Sequence, residues 1–151
     1  VLSADEMKIK VEELIEDCDI FISAAAVSDF KPKEIYKNKI KKKGNEKHLN
    51  LKMDKNSDIL KVISEKNLNL KTVGFAAETE NLLSNAKKKL SQKKLDLIVA
   101  NDVSNKDIGF DSDENEVTLI TKKEQKKIKK ASKKIVSKKI VEFIASRVVN
   151  D

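Results

Sequence analysis

Two hydrophobic periods alternate along this chain, and that alternation is its strongest constraint on fold. Met7, Val11, Leu14 and Ile15 recur at helical spacing behind Ser3-Ala4-Asp5-Glu6, whose S-x-x-E form is a capping box, so a helix is expected to begin near Ala4. Asp19 to Val27 then runs as a continuous apolar segment, the pattern of a fully buried strand in a parallel sheet covered on both faces. The grammar repeats. Ser57 to Asn67 sets Ile59, Val62 and Ile63 on one helical face and feeds a strand over Lys71 to Ala76. Thr79 is placed to cap a helix that turns Leu82, Leu83, Ala86 and Leu90 inward and leads to a strand over Leu95 to Ala100. Glu116 to Thr121 reads as a later strand, paired with Lys127-Ile128-Lys129 as a hairpin. A last helix from about Ser132 aligns Val136, Ile140, Phe143, Ile144 and Val148. Strands alternating with helices imply right-handed crossovers and an α/β fold with a mainly parallel sheet.

At 151 residues the chain is expected to form a single domain, 1–151, with one long interruption. The polar stretch 28–48 contains Lys31-Pro32 and Gly44 and is rich in Lys, so it reads as a flexible basic flap. His48 to Met53 alternates like a strand returning from it. The formal charge of +7 invites a basic nucleic-acid-binding module with Lys122 to Lys139 as its contact surface. Against that reading, Arg147 is the one Arg, and aromatics are 4% of the chain and not interleaved with the basic runs. Solvated helix faces account for most of the Lys, and the remainder suits a small anionic ligand. The most apolar stretch, Ile20 to Val27, is too short for a membrane span, and no basic segment followed by an apolar one marks a secretory signal. Val1 in place of an initiator Met reads as a trimmed or incomplete start. The lone Cys18 fits a reducing compartment and is expected as a small packed residue near a strand start.

In an open parallel sheet, ligands bind beyond the carboxyl ends of the strands, where helix N-termini present free N–H groups. The expected strands leave through Ala25-Ala26-Val27-Ser28-Asp29, Phe75-Ala76-Ala77-Glu78-Thr79 and Ala100-Asn101-Asp102. Small residues there admit a ligand to the backbone, and Asp29, Glu78 and Asn101 can bond hydroxyls, amides or a metal ion. The same residue types also form ordinary caps and turns. No dinucleotide fingerprint, P-loop, C-x-x-C or H-E-x-x-H occurs, and Gly44, Gly74 and Gly109 build no glycine loop. Phosphates would therefore be held by Lys and helix ends, or by sequence not present here. His48, beside the basic stretch, reads as a surface residue, so Ser-His-Asp chemistry is not expected.

Six blocks carry a family resemblance: Ala25 to Pro32, Lys39-Ile40-Lys41, Leu51-Lys52-Met53, Lys55 to Leu60, Val73 to Thr79 and Leu95 to Val103. Their order and spacing are similar to the phosphopantothenate–cysteine ligase half of the bifunctional prokaryotic coenzyme A protein, from Val1 to about Val149, and Gly109 to Asn115 is typical of it too. The resemblance implies a Rossmann-like three-layer α/β/α fold with a C-terminal hairpin plus helix, and a homodimer in the cytoplasm. It implies CTP with Mg²⁺, 4′-phosphopantothenate and L-cysteine as reactants, an acyl-cytidylate intermediate, and a fused or associated phosphopantothenoylcysteine decarboxylase. Carried over by position, it puts Ser23, Ala24, Ala25 and Asp29 on the nucleotide, with Lys39 as the catalytic residue reaching it from the flap. Ser57, Asp58, Ile59, Leu60 and Phe75 would border the cytidine, and Lys89 and Lys93 would meet the triphosphate from one side. Asn101 and Asp102 match the family but are tied to the site only loosely, and no metal ligands are assigned. Where relatives have Lys-Asn-Pro-Asp, this chain has Lys55-Asn56-Ser57-Asp58, and Ser can still start a helix. The family's N-terminal part, with its first strand, a Gly-rich segment and an Asn-containing loop, would precede Val1, so this chain alone is expected to be catalytically incomplete; a nucleotide-binding relative without ligase activity is a separate reading.

Overall fold

Helical and extended segments follow the sequence pattern with instructive shifts at their ends. The computed structural model describes residues 1–36, 38–41, 47–66, 69–103 and 112–149. Parts of the expected flap, at 37 and 42–46 with Gly44, and the Gly109-Phe110-Asp111 run lie outside the described residues.

Helix α1 spans Ala4–Leu14. The Ser3 Oγ accepts the Glu6 N–H at 3.2 Å, while the Glu6 carboxylate accepts the Leu2 N–H at 2.7 Å, one residue earlier than a standard capping box. Strand β1, Ile20–Ser23, follows, then β2, Phe30–Pro32, and β3, Met53–Lys55. Helix α2, Ile59–Glu65, leads to β4, Lys71–Glu78. Helix α3, Leu82–Gln92, leads to β5, Leu97–Asp102. The hairpin of β6, Glu114–Ile120, and β7, Gln125–Ser132, precedes α4, Lys133–Phe143, which continues as a π-helical turn over Ile144–Val148.

The main sheet has the order β1-β4-β5-β6-β7. Its β1, β4 and β5 run parallel, and the hairpin extends it in antiparallel fashion. A separate ribbon pairs β2 with β3, from Phe30 opposite Lys55 to Pro32 opposite Met53. Alternation along the strands divides the core into two faces. Val73, Leu97, Val99 and Leu119 pack with Val136, Ile140 and Phe143 of α4, as the final helical stripe predicts. Ala76, Ile98 and Ile120 pack with Ala86 and Leu90 of α3 and Leu60 of α2. Ile59 and Ile63 join Ile15 and Leu70, which seats α1 beside α2. Helices on both faces of one sheet make the expected three-layer Rossmann-like arrangement. With seven residues, α2 is too short to persist alone, so burial of Ile59, Leu60 and Ile63, about 1.5–3 kcal/mol each, holds it.

The shifts have local causes. The expected strand over Asp19 to Val27 pairs only through Ser23 opposite Gly74 and lies at the sheet edge, so Ile22 stays 44% exposed instead of fully buried. The expected strand over His48 to Met53 begins only at Met53. Thr79 does not cap α3, because β4 runs on to Glu78; Asn81, at φ 52°, precedes the helix without a side-chain cap. Leu83 is exposed rather than inward. Strand β5 starts at Leu97, not Leu95, because the Leu95 N–H still closes the preceding helix on the Leu90 carbonyl at 3.0 Å. Cys18 is exposed and not packed, its Sγ–H donating to the Leu14 carbonyl at 3.2 Å.

Candidate functional site

Beyond Ser23, the chain leaves the sheet through Ala24-Ala25-Ala26, and the small side chains open space beside the carboxyl ends of β1 and β4. A cleft of about 630 Å³ occupies it. One wall is the segment from Ala25 to Asp29, and the other is the passage from β3 into α2, Lys55 to Lys61. Phe75 of β4 and Gln92 and Lys93 at the end of α3 complete the lining. The position is the one that open parallel sheets use for ligands.

Each wall is built by identifiable bonds. Asp58 caps α2, its Oδ1 accepting the Lys61 N–H at 3.1 Å, while its Oδ2 meets the Lys93 Nζ at 2.8 Å. The Asp29 carbonyl accepts the Asn56 N–H at 2.8 Å, which fastens the first wall to the second. Leu60 and Ile59 are buried beneath this seam, and the Phe75 ring is 42% exposed to the cleft. Lys55, Lys61 and Lys93 face Asp29 and Asp58 in the lining, so its charge leans positive. Among the described residues no group of three or more His, Cys, Asp or Glu could hold a metal ion.

Of the residues singled out in the sequence, the cleft gathers Ser23, Ala25, Asp29, Ser57, Asp58, Ile59, Leu60, Phe75 and Lys93. Ala24 lies between two of them and is exposed. Lys39 is exposed and not in the lining. Lys89 is outside it too, with its Nζ 2.5 Å from the Glu78 carboxylate. Lys89 and Lys93 do not approach the cleft from one side as the resemblance implies, because α3 ends at Gln92 and Lys93, at φ −97° and ψ 4°, has left the helix. Of the three lysines that the resemblance carries to the nucleotide, Lys39, Lys89 and Lys93, the lining holds Lys93 alone. Glu78, expected as a free strand-end carboxylate, is held by Lys89 and by the Asn85 Nδ2 at 3.2 Å. Asn101 sits where β5 pairs with Ala77, outside the cleft lining. Sequence reasoning passed over Ser28, Asn56, Lys61 and Gln92; Asn56 lay inside the block Lys55 to Leu60, but its burial had no sequence signal.

Fold and cleft define the class: an open α/β domain with a positively biased cleft at the carboxyl ends of its parallel strands. The chain belongs to the DNA/pantothenate metabolism flavoprotein C-terminal domain family, whose model matches residues 1–148. It is 42% identical over 143 residues to the coenzyme A biosynthesis bifunctional protein CoaBC of Vibrio vulnificus (strain CMCP6), covering 94% of this chain and 36% of that protein. It is 43% identical over 147 residues to CoaBC of Bacillus subtilis (strain 168), covering 97% and 36% respectively. The crystal structure of the C-terminal domain of a CoaBC superposes with a TM-score of 0.78 at 30% identity, covering all of this chain and 65% of that one. The chain thus spans about a third of the length of the curated relatives it matches, and the resemblance read from the six sequence blocks falls in this family.

Proposed function

We propose that this chain is the nucleotide-binding part of a phosphopantothenate–cysteine ligase of coenzyme A biosynthesis. In the proposed reaction the 4′-phosphopantothenate carboxylate attacks the α-phosphorus of CTP, and pyrophosphate leaves. The amine of L-cysteine then attacks the acyl-cytidylate carbonyl, an amide forms and CMP departs. The observation that carries the reading is the cleft that joins Ser23, Asp29, Asp58, Phe75 and Lys93 at the carboxyl ends of two parallel strands, in a chain of this family. Its volume lies within the ~300–1,000 Å³ typical of ligand pockets.

The first step brings two polyanions together, so its barrier falls through positioning and charge neutralisation rather than through a protein nucleophile. Lys93 supplies a cation at the lining, Lys39 is proposed to add a second from the flap, and Asp29 with Ser23 contacts the nucleotide. Phe75 offers an exposed ring to the base. Mg²⁺ would travel with the triphosphate, since the described residues build no cage for it. A second copy of the chain is the proposed partner of the β2–β3 ribbon, where Phe30 and Met53 stay about half exposed. Fusion or association with a decarboxylase and a cytoplasmic site belong to the same reading; no helix among the described residues is long and apolar enough to cross a membrane.

The nucleic-acid alternative is less well supported. Lys127 pairs with Glu116 at 2.7 Å, Lys130 with Glu114 at 3.1 Å and Lys138 with Glu142 at 3.9 Å, so three of the lysines on that surface face carboxylates. The deciding experiment follows pyrophosphate release by the intact protein with CTP and phosphopantothenate, with and without cysteine. A parallel arm replaces CTP with ATP. Nucleotide-dependent release is expected, and its absence with both nucleotides removes the ligase reading.

A further inference from the structure

A buried amide lies at the seam of the cleft. Asn56 is only 7% exposed, although it immediately precedes Ser57 and Asp58 at the entrance to α2. Its backbone N–H donates to the Asp29 carbonyl at 2.8 Å. Its Nδ2 donates to the Ser28 carbonyl at 2.9 Å and lies 3.4 Å from the Ser28 Oγ. These bonds join segments 28 residues apart in sequence, one forming each wall. The Oδ1 of Asn56 is screened from solvent and has no partner. Turning the amide over would set that oxygen against the Ser28 carbonyl, two acceptors face to face, so the orientation is imposed by the donor half. The side chain is there to hold Ser28, and one of its own polar atoms goes unsatisfied as a result.

We propose that Asn56 is a positioning residue for the nucleotide: it fixes the separation of the two walls, and with it the placement of Asp29 relative to Asp58 and Lys93. This inference deepens the nucleotide reading above and rests on it. The β2–β3 ribbon reaches the cleft at Phe30 opposite Lys55, and its three residue pairs, continued by one bond from the Lys33 N–H to the Lys52 carbonyl at 2.9 Å, make a marginal tether by themselves. Without the Asn56 amide, the walls would be joined beyond that pair by one backbone bond and would part more readily.

The test is steady-state pyrophosphate release by the intact protein, with CTP varied at saturating phosphopantothenate and cysteine, and with cysteine varied separately. Asn56→Ala is expected to raise the KM for CTP ten-fold or more while the KM for cysteine stays within two-fold. Loss of stability alone would shrink the active fraction and lower the apparent kcat without moving KM. Asn56→Asp, nearly isosteric but without the Nδ2 donor, is expected to behave the same way and decides the matter if the alanine variant does not fold. A KM for CTP within two-fold of the unsubstituted protein in a folded variant, whatever its kcat, overturns the inference. An unsubstituted protein that shows no nucleotide-dependent release would instead overturn the ligase reading, and this inference with it.

Discussion

The ammonium of Lys93 lies 2.8 Å from the Oδ2 of Asp58 and so ties the end of α3 to the first turn of α2 across the cleft lining. Both side chains are partly exposed, at 28% and 38%, so the pair itself contributes at most about 1 kcal/mol. Its consequence is positional: one cation is held at the mouth of α2 before any ligand arrives.

Lys93→Ala is accordingly expected to cost less than about 1 kcal/mol of stability but to weaken CTP binding about ten-fold. Lys89 serves a different carboxylate, that of Glu78, which is 14% exposed. Lys89→Ala should lower stability by about 1 kcal/mol and change CTP affinity by less than three-fold. Calorimetric titration and urea unfolding of both variants separate the two roles. Equal losses of affinity would mean that Lys89 leaves Glu78 to reach the nucleotide.

Lys39→Ala addresses the flap. The side chain is exposed, so the unfolding free energy should stay within about 0.5 kcal/mol of the parent. If Lys39 stabilises charge on the reacting phosphate, pyrophosphate release should fall about 100-fold. Thermal melting and the release assay, run on the same sample, check both halves. An undiminished rate would take Lys39 out of the chemistry.

Gly74 lies where α2 and the start of β5 approach β4. A Cβ there would come within 2.7 Å of the Leu60 Cδ2 and 2.9 Å of the Leu95 Cδ1, and both leucines are buried. Their methyl ends can turn, so Gly74→Ala should destabilise by about 1–2 kcal/mol rather than block folding. Because Leu60 also lines the cleft, CTP affinity should fall with it. Urea unfolding at parental stability would show that α2 can back away without cost.

Lys94 closes α3 in the left-handed region, at φ 52°, with its N–H donating to the Ser91 carbonyl at 3.1 Å. That conformation costs a residue bearing a Cβ about 1 kcal/mol, a penalty glycine avoids. Lys94→Gly is expected to raise stability by about 0.5–1 kcal/mol, with CTP affinity unchanged. Denaturant midpoints and titration test the pair of claims, and a lower midpoint would count against a strained cap.

The alternation of periods was enough to read the layers, because burial on a strand or a helical stripe leaves an unavoidable spacing. Val136, Ile140 and Phe143 were legible for that reason. So was the place of the cleft, since a parallel sheet binds at its carboxyl ends, where Asp29 was expected; Asp58 and Phe75, the latter inside β4, came from the family resemblance. Element ends were harder to read. Asn81 and Lys94 both adopt left-handed conformations; Asn takes that region readily but a Lys does not announce it, and Thr79 rather than Asn81 was expected at the start of α3.

The sequence by itself determined the helices and the strands of the main sheet, the two faces of the core and the family, and through the family resemblance most of the residues around the cleft; it did not show that Phe30 to Pro32, read as part of the flap, would pair as β2. Local spacing is a property of one segment and needs no partner to be read. Only the tertiary structure decided that Lys93 belongs to Asp58, that Lys89 belongs to Glu78, and that Asn56 spends its amide on Ser28. Those pairings depend on where a helix ends and on how two walls far apart in sequence come to touch, and such distances are set by the packing of the whole chain.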